Sequence, residues 1–409
     1  MFYGDTCMRV LRILFVLALT LSDVSGEWAQ WRGPTRDGVV QGVELPEVWP
    51  DELQMVWKKK VGYGYASPIA SEGAVYTFTR EKDDEILTKL DLVSGKERWR
   101  SKYEALLDLN WYGSGNHPKS TPALDGARLV TFGITGILTC WDTSSGDVIW
   151  QKTFADEFEE AYPKFGAAAS PLIADGKVFV HVGGQKGGAL RCFSLESGEV
   201  VWSWSADGPG YSSPILMETA GGQNLVTLAE HFLISLDTTT GEESWHIAFE
   251  TAQDQNVITT LAASDTLFYS GYEAGSFAIR VQNDGGWKTE EIWNQPGISQ
   301  FMGSPVLTHG QLIGFDHKKK GRLFGLDAST GEVLWLTRGR WGKTASIAVI
   351  GGHIAVLSDD GQLSFVPVSR DGYKTAAHYT VGDETWAHPA FVDGHIIIKE
   401  ERHVSVWKF

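Results

Sequence analysis

The chain has 409 residues, with 35 basic and 51 acidic side chains that give a formal net charge of −16. An acidic surface argues against nucleic acids and anionic membrane surfaces as partners, because both would repel it. The length exceeds that of a usual single domain, but closed rings of repeated β-units are an exception to this limit. The first expectation is therefore a repeat protein with no nucleic acid among its partners.

Residues 1–26 have the features of a secretory signal peptide. Arg9 and Arg12 precede a short apolar run, and the small residues Ser25 and Gly26 follow it. The run is too short for a membrane-spanning helix, and no later segment is long enough to form one. The sequence predicts export to the periplasm, the cell envelope or the exterior, without a transmembrane segment in the mature chain.

Residues 27–51 precede the first repeat and are predicted to form an N-terminal arm. The arm opens with EWAQWRGPTRDG, in which Trp28, Trp31 and Arg32 could form a plug packed against the rest of the protein. The alternative is an ordered terminus held against the surface. The sequence leaves both interpretations open.

One ten-residue pattern recurs along the chain. Leu326–Trp335 reads LDASTGEVLW, and related segments end at Trp99, Trp150, Trp202 and Trp245. The Asp can cap the amides of a turn, and the Gly supplies the positive φ that closes it. The Trp, four residues after the Gly, is large and flat and suits packing between neighbouring sheets. The repeat length matches that of a four-stranded propeller blade.

The tryptophans at this position give the number of blades. Tyr379 stands in the slot after the last of them, which brings the total to eight. A Pro preceded by Ser, Thr or a similar residue opens a short apolar strand in most repeats, in phase with the tryptophans. The predicted docking residues are Trp57, Trp99, Trp150, Trp202, Trp245, Trp293 and Trp335.

The two ends of the chain complement each other. Residues 53–60 carry the first docking Trp with no turn before it, whereas residues 387–409 give three strands and stop before a fourth. The N-terminal strand is therefore predicted to complete the C-terminal blade, which would remove exposed sheet edges. The predicted fold is an all-β, eight-bladed β-propeller over residues 52–409, in which blade five is degenerate.

The repeat resembles the pyrroloquinoline-quinone-like (PQQ-like) family, whose motif places a small residue two positions before the Asp. Cys140, Cys192, Ser235 and Gly325 fill that position, and Lys89 departs from it. The resemblance implies a quinoprotein-like propeller. The opening EWAQWRGPTRDG also resembles secreted planctomycete-type quinone-repeat proteins.

The resemblance implies two kinds of function. Some members of the family are quinone-dependent alcohol or sugar dehydrogenases with bound calcium. Others bind no quinone; the propeller lipoprotein of the outer-membrane barrel-assembly machinery is one example. The family alone therefore does not decide between catalysis and binding.

Chemical motifs favour binding over catalysis. Many quinoprotein dehydrogenases stack the quinone on a disulfide between adjacent cysteines, and this sequence has no Cys-Cys pair. His-x-His, Cys-x-x-Cys and Asp-x-Asp-x-Asp spacings are also missing, and Asp83–Glu85 is interpreted as a solvated turn. We predict no metal site and no cofactor and assign no catalytic residue. PQQ and calcium, the latter held by separate loops, belong to the alternative.

The candidate site lies in the connections that follow the docking tryptophans. In a propeller these loops emerge on one face around the channel. Aromatic and basic side chains there could hold a planar or anionic ligand, a sugar or a peptide segment, or could simply fill the channel mouth. Phe165, Tyr211 and Phe301 belong to the same loops. The candidate ligand-binding residues are Tyr63, Tyr65, Trp111, His117, Lys119, Arg338, Arg340, Trp341, Lys343, Trp386 and His388.

The favoured function is that of an exported, non-catalytic propeller that binds a ligand or protein partner at the channel mouth, with cell-envelope assembly as one setting. The alternative is a PQQ-dependent alcohol or sugar dehydrogenase of the polyvinyl-alcohol type. The site is expected along the arc from blade seven through eight and one to blade two. His117, Lys119, Arg338, Arg340 and Lys343 are expected to surround one opening there.

Overall fold

A computed structural model describes residues 27–107 and 115–409, which form eight four-stranded antiparallel sheets. Each sheet is one blade, and its first strand is the innermost. The first four blades contain β2 Ile69–Ser71, β3 Ala74–Glu81, β4 Asp84–Asp91 and β5 Glu97–Glu104; β6 Ala123–Asp125, β7 Arg128–Phe132, β8 Leu138–Asp142 and β9 Val148–Lys152; β10 Leu172–Ala174, β11 Lys177–Val182, β12 Ala189–Ser194 and β13 Val200–Trp204; and β14 Ile215–Thr219, β15 Gly222–Leu228, β16 Phe232–Asp237 and β17 Glu243–Ala248.

The remaining blades continue the same order around the ring. Two short 3₁₀ segments lie in their connections, at Ala252–Asp254 and Lys318–Lys320. Blades five to eight contain β18 Leu261–Ala263, β19 Thr266–Gly271, β20 Gly275–Asn283 and β21 Trp287–Gln295; β22 Val306–Thr308, β23 Gln311–Asp316, β24 Arg322–Asp327 and β25 Val333–Leu336; β26 Ala345–Ile350, β27 His353–Ser358, β28 Gln362–Pro367 and β29 Ala377–Thr380; and β30 Ala390–Val392, β31 His395–Lys399, β32 His403–Lys408 and β1 Gln54–Lys60.

The predicted all-β, eight-bladed propeller is confirmed, including the closure of the ring. The last sheet has the order β1-β32-β31-β30, so the first strand of the chain is the outermost strand of the last blade. Its register pairs Trp57 with Val406 and Lys60 with His403. Among the described residues, no helix is long and apolar enough to cross a membrane.

Inner strands of a blade are more buried than its outermost strand. All six residues of β23 are buried, because neighbouring blades cover both of its faces. The outermost strand β5 instead alternates between exposed and half-buried residues. This period of two is expected for a strand with one face in water. The apolar core is therefore a set of clusters between consecutive blades.

Six of the seven docking tryptophans donate a hydrogen bond to a turn carbonyl of the next blade. The Nε1–H of Trp150 donates to the carbonyl oxygen of Leu195 at 2.9 Å, and its ring lies against Gly198. A Cβ built on Gly198 would stand 2.7 Å from Cδ2 of Trp150. The glycine therefore does two things, because it adopts a φ of +70° and also leaves room for the indole.

The small residue of the repeat motif lies directly across the sheet from the docking tryptophan. Cys140 pairs with Trp150, and Gly325 pairs with Trp335. A Cβ on Gly325 would approach the Trp335 indole to 2.4 Å, which explains why the position favours small side chains. Cys140 is a buried free thiol, as a small packing residue would be.

Blade five interrupts this docking pattern. It keeps four strands, but its two outer strands are long and meet at a turn that contains Gly285 and Gly286 rather than the Asp-to-Gly turn. Trp245 of blade four faces this blade and is 8% exposed, yet its Nε1–H has no acceptor among the described residues. The missing turn carbonyl accounts for the missing hydrogen bond.

Hydroxyl groups link the innermost strands around the channel. The amide of Ser67 donates to Thr121 Oγ1 at 3.1 Å, the Thr121 amide to Ser170 Oγ at 2.9 Å, and the Ser170 amide to Ser213 Oγ at 2.9 Å. The amide of His388 donates to Ser67 Oγ at 2.9 Å and joins the last blade to the first. The Ser/Thr-Pro pairs of the sequence therefore mark inter-blade contacts.

The N-terminal arm forms a plug that crosses the channel. Trp28 exchanges backbone hydrogen bonds of 2.8 and 3.0 Å with Ala70 in β2, and the amide of Val40 donates to Val349 in β26 at 2.8 Å. Ala29 accepts from the amide of Leu124 in β6 at 2.8 Å. Because these partners lie within the innermost strands, the arm lies deeper in the channel than the loops that precede those strands.

Two buried arginines anchor the arm to opposite parts of the ring. Arg32 donates to the carbonyl oxygen of Pro305 in blade six, and Arg36 donates to that of Pro171 in blade three at 2.9 Å. Burial lowers the pKa of Arg32 to about 10 and, together with the charge of Arg32, lowers that of Arg36 to about 9. In the interior, backbone carbonyl oxygens take the place of water as hydrogen-bond acceptors for the two guanidinium groups.

The interpretation of Asp83–Glu85 as a solvated turn is wrong at Glu85. The side chain is fully buried, and its carboxylate accepts hydrogen bonds from the Tyr103 hydroxyl at 2.6 Å and the Ile134 amide at 2.8 Å. The turn of blade two covers it. Burial raises the pKa of Glu85, although both hydrogen bonds and Arg80 oppose the shift.

Candidate functional site

The connections that follow the docking strands converge on a cavity in the centre of one face. Its volume is about 290 Å³, and aromatic and aliphatic side chains from six blades surround it. We call this space the mouth cavity. Its lining residues are Lys119, Phe165, Ala168, Tyr211, Gln255, Val257, Phe301, Met302 and Trp386.

Two stacked aromatic pairs lie beside the mouth cavity, in the arc of blades eight, one and two. Tyr65 stacks on Trp386, with ring centroids 4.8 Å apart and an interplanar angle of 21°. Tyr63 stacks on His117, with ring centroids 4.8 Å apart and an interplanar angle of 18°. The guanidinium of Arg402 lies 4.1 Å from the centroid of the Tyr63 ring. These rings stiffen the edge of the cavity by packing on each other.

Lys119 is the cation of the mouth cavity. Its Nζ donates to the carbonyl oxygen of Phe165 at 2.6 Å. Burial lowers the pKa of this lysine to about 8. Burial also lowers the pKa of the neighbouring His117 to about 4, helped by the charges of Arg80, Lys119 and Lys399. At neutral pH His117 is therefore uncharged, and the positive charge at this position comes from Lys119.

His388 lies below the mouth rather than in it. The side chain is buried, and its ring packs against Trp31 of the arm with centroids 4.4 Å apart. The Nε1–H of Trp31 donates in turn to Thr259 Oγ1 at 2.8 Å. Burial and the nearby Arg32 lower the pKa of His388 to about 3. The residue joins the arm to blade eight.

Lys399 is a buried cation that the sequence patterns did not single out. Its Nζ donates to the carbonyl oxygens of Gly64 at 3.0 Å, Glu401 at 3.1 Å and Glu400. Burial lowers its pKa to about 7. The side chain fastens the loop between blades eight and one, which carries Tyr63 and Tyr65. No motif marks it, because its acceptors are backbone atoms.

Arg338, Arg340 and Lys343 lie away from the mouth cavity, in the connection between blades six and seven. This connection packs against the turn Lys318–Lys320, since Trp341 N–H donates to Gly321 O at 3.3 Å and Gly342 N–H to Lys320 O at 3.2 Å. The two loops together carry six cations. We call this set the basic rim: Lys318, Lys319, Lys320, Arg338, Arg340 and Lys343.

The candidate residues are therefore distributed over three places on this face. Lys119 and Trp386 line the mouth cavity, and Tyr65 stacks on Trp386. Tyr63 and His117 form the neighbouring stack. Arg338, Arg340, Trp341 and Lys343 lie on blades six and seven, His388 lies beneath, and Trp111 is outside the described residues. Sequence spacing placed the loops on one face but did not give the distances between them.

One group of side chains has the composition of a metal site. Asp207, Glu230 and His231 bring three candidate ligand atoms within 4.8 Å of one another. The Asp207 carboxylate already accepts from His231 Nδ1 at 2.8 Å, from the His231 amide at 2.7 Å and from the Gly208 amide at 3.0 Å. Asp207 therefore holds two loops together through hydrogen bonds, and these bonds account for its position.

The mouth cavity does not have the chemistry of a PQQ and calcium site. PQQ carries three carboxylates, and calcium prefers several oxygen ligands, among them Asp or Glu. Among the described lining residues, Lys119 is the one charged side chain, and carboxylates are missing. Apolar rings dominate instead. The cavity is better matched to an apolar side chain than to a polyanionic cofactor with its metal.

Comparison with known proteins agrees with the repeat and the fold. The family model described as "Outer membrane protein assembly factor BamB" matches residues 82–337. The outer membrane protein assembly factor BamB of Shewanella oneidensis is 23% identical over 295 residues, which cover 69% of this chain and 72% of the relative.

Solved structures show the same architecture. BamB from Moraxella catarrhalis superposes with a TM-score of 0.64 at 18% identity, covering 87% of this chain and 100% of that one. A quinohemoprotein alcohol dehydrogenase from Comamonas testosteroni gives 0.68 at 13% identity, covering 93% and 80%. Both likenesses concern the fold alone. The match to the family model spans more than half of the sequence, and the chain belongs to the PQQ-like repeat propeller family that this model describes as outer membrane protein assembly factor BamB.

Proposed function

We propose that this protein is a cell-envelope propeller that binds a protein partner at the mouth cavity and catalyses no reaction. The observation that carries the proposal is the apolar, aromatic lining of a cavity of about 290 Å³ on the loop-bearing face. Aromatic residues are enriched where proteins bind one another, because they bury a large area at a small entropic cost.

The names of similar proteins also support a role in binding other proteins. The family model and the Shewanella oneidensis relative are both named for outer membrane protein assembly, which is work done with other proteins. Residues 1–26 have the pattern of a signal peptide, so we place the mature chain in the envelope. Assembly of other envelope proteins is the setting that we propose.

The rigid edge of the cavity also supports a binding role. Lys399 fastens the loop between blades eight and one through backbone carbonyls, and the Tyr65–Trp386 stack braces the wall. A preformed wall loses little freedom when a partner binds, so more of the contact energy appears as affinity. This arrangement suits an apolar anchor of a partner that enters the cavity.

Photocrosslinking in the native envelope tests the proposal. A photoreactive amino acid replaces Gln255 in the mouth cavity, and in a second strain it replaces Lys96, which lies in the turn between β4 and β5 on the opposite face. We expect a discrete protein adduct from position 255 and none from position 96. The adduct should disappear when Ala168→Trp fills the cavity.

Three results would remove the mouth from consideration. They are the same adduct from both positions, an adduct that survives Ala168→Trp in a folded protein, and no protein adduct from position 255. A catalytic role has its own test, in which the purified chain receives PQQ and calcium and then an alcohol with a redox dye. Reduction of the dye would replace the binding proposal by the dehydrogenase.

A further inference from the structure

The basic rim is unusual for a chain with a net charge of −16. Elsewhere many cations of the described chain have an acidic partner, for example Arg98 with Asp91 and Arg191 with Glu157. Among the described residues, none of the six rim cations forms an ion pair. The carboxylate of Asp359 lies beside the rim and accepts from the Lys343 amide at 3.1 Å, with Asp360 next to it in the chain. Six cations outnumber these two carboxylates, so a net positive charge remains on one part of an acidic molecule.

The buried carboxylate that precedes the lysine turn does not neutralise the rim. Asp316 ends β23 just before the lysine turn and is completely buried. Its Oδ2 is bound by the guanidinium of Arg322, with Nε 2.7 Å away, and its Oδ1 accepts from the Ser299 amide at 3.2 Å. Asp316 and Arg322 thus form a closed pair that supports the turn. Lys319 and Lys320 are exposed to solvent, and the half-buried Lys318 donates from Nζ to the carbonyl oxygen of Gly297 at 3.4 Å.

The backbone holds three of the cations in a conformation that L-residues seldom adopt. Lys319, Lys320 and Arg340 have φ values of +55°, +64° and +76°. Strained positions of this kind cluster at functional sites, and this chain also has them in turns such as those at Glu72 and Asp175. Glycine would relieve the strain.

A path of aromatic rings connects the rim with the mouth cavity. Phe301, which lines the cavity, contacts Tyr272 with centroids 4.8 Å apart, and Tyr272 contacts His317 at the same distance. His317 immediately precedes Lys318. A ligand lying along this path would meet apolar surface at one end and positive charge at the other.

We propose that the basic rim recognises an acidic run in the partner, adjacent to the apolar side chain that enters the mouth cavity. This inference rests on the proposed function and adds the chemistry of the partner segment. An extended acidic peptide fits better than an anionic membrane. The rim is confined to two loops of one blade border, whereas a membrane would also meet the acidic remainder of the face.

The recognition has a kinetic signature. Carboxylates that meet unpaired cations at a binding edge mainly accelerate association, and salt screens this effect. Each Arg can also form two parallel hydrogen bonds with one carboxylate, which adds specificity for an acidic run. We therefore expect the rim to change the association rate and its salt dependence more than the dissociation rate.

The test uses two labelled peptides that differ only in charge: one has a phenylalanine beside a run of glutamates, and the other has glutamines in place of the glutamates. Stopped-flow anisotropy measures both with the full mature chain. We expect association of the glutamate peptide to be about tenfold faster at low salt, and the advantage to vanish at high salt. Arg338→Glu with Lys343→Glu should abolish it. The matched control, Lys96→Glu with Lys288→Glu, changes the net charge equally on the opposite face and should retain it.

Other results would overturn the rim inference or point to a different contact. Equal binding of both peptides that Ala168→Trp abolishes would overturn the rim inference and leave the mouth proposal standing. Equal losses in the rim variant and the control would also overturn it, as would failure of both peptides to bind. Phosphatidylglycerol vesicles form a further arm. Rim-dependent binding to them without a preference for the glutamate peptide would identify a membrane contact instead.

Discussion

At the scale of single residues, the described part of this propeller contains polar groups whose environments are set by distant segments. Glu85 follows two aspartates in a charged hairpin, yet the turn of the next blade buries it. Lys399 donates to the carbonyl oxygen of Gly64, which comes from the other end of the chain. Local sequence cannot indicate such environments, because burial there depends on the packing of one blade on another.

Glu85→Gln should make stability less dependent on pH. The folded pKa of Glu85 is raised above the ordinary 4.5, so the folded state holds its proton more tightly than the unfolded state. Its contribution to the unfolding free energy therefore grows as pH falls from the folded pKa towards 4.5 and is lost as pH rises through that window. The thermal midpoint of the native chain, relative to that of the variant, should rise on acidification in this range. A constant difference between the two midpoints would contradict the assignment.

At the scale of elements, one contact recurs between blades. The indole of a docking tryptophan covers a turn glycine and donates to a turn carbonyl. The repeat pattern predicted which residues take part, since both the tryptophan and the glycine recur at fixed spacing. It did not predict the partner of Cys140 across the sheet, which follows from the register between β8 and β9. Loop contacts such as that of Trp341 with Gly321 follow no repeat and had to come from the structure.

Gly198→Ala should destabilise the protein more than Gly176→Ala. Both glycines have similar positive φ values, +70° and +69°. A Cβ at position 198 would lie 2.7 Å from the indole of Trp150, whereas nothing lies within 4 Å of one at position 176. The backbone cost is therefore shared, and the difference isolates the docking contact, at about 1 to 3 kcal/mol. Chemical denaturation of both variants measures it, and equal losses would remove the steric role of Gly198.

At the scale of the whole molecule, the two ends of the chain meet in one sheet. The N-terminal strand pairs with a strand that lies almost the entire ring away in sequence. The sequence predicted this closure, because an orphan strand and an incomplete blade required each other. It left open how the arm is used, since contacts with Pro171 and Pro305 depend on the width of the channel.

A disulfide across the closure should stabilise the ring more than one inside a blade. Gln54 and Lys408 are direct partners between β1 and β32, and Gln362 and Thr380 are partners between β28 and β29. A cross-link between positions 54 and 408 restricts a far longer loop of the unfolded chain. The chain-entropy relation gives it an advantage of roughly 2 to 3 kcal/mol. Oxidised and reduced forms of both double-cysteine variants, compared by denaturation, would show the difference. A larger gain from the pair within blade seven would contradict closure by the chain ends.

The arm that crosses the channel has a consequence for how this ring can change during evolution. Its contacts reach Ala70, Leu124, Pro171, Thr259, Pro305, Val349 and His388, which belong to blades one, two, three, five, six, seven and eight. A ring that gained or lost a blade would have a different bore, and a segment of fixed length could not span it with the same bonds. The contacts of the arm therefore restrict the number of blades, and they favour eight over seven or nine independently of the repeats themselves.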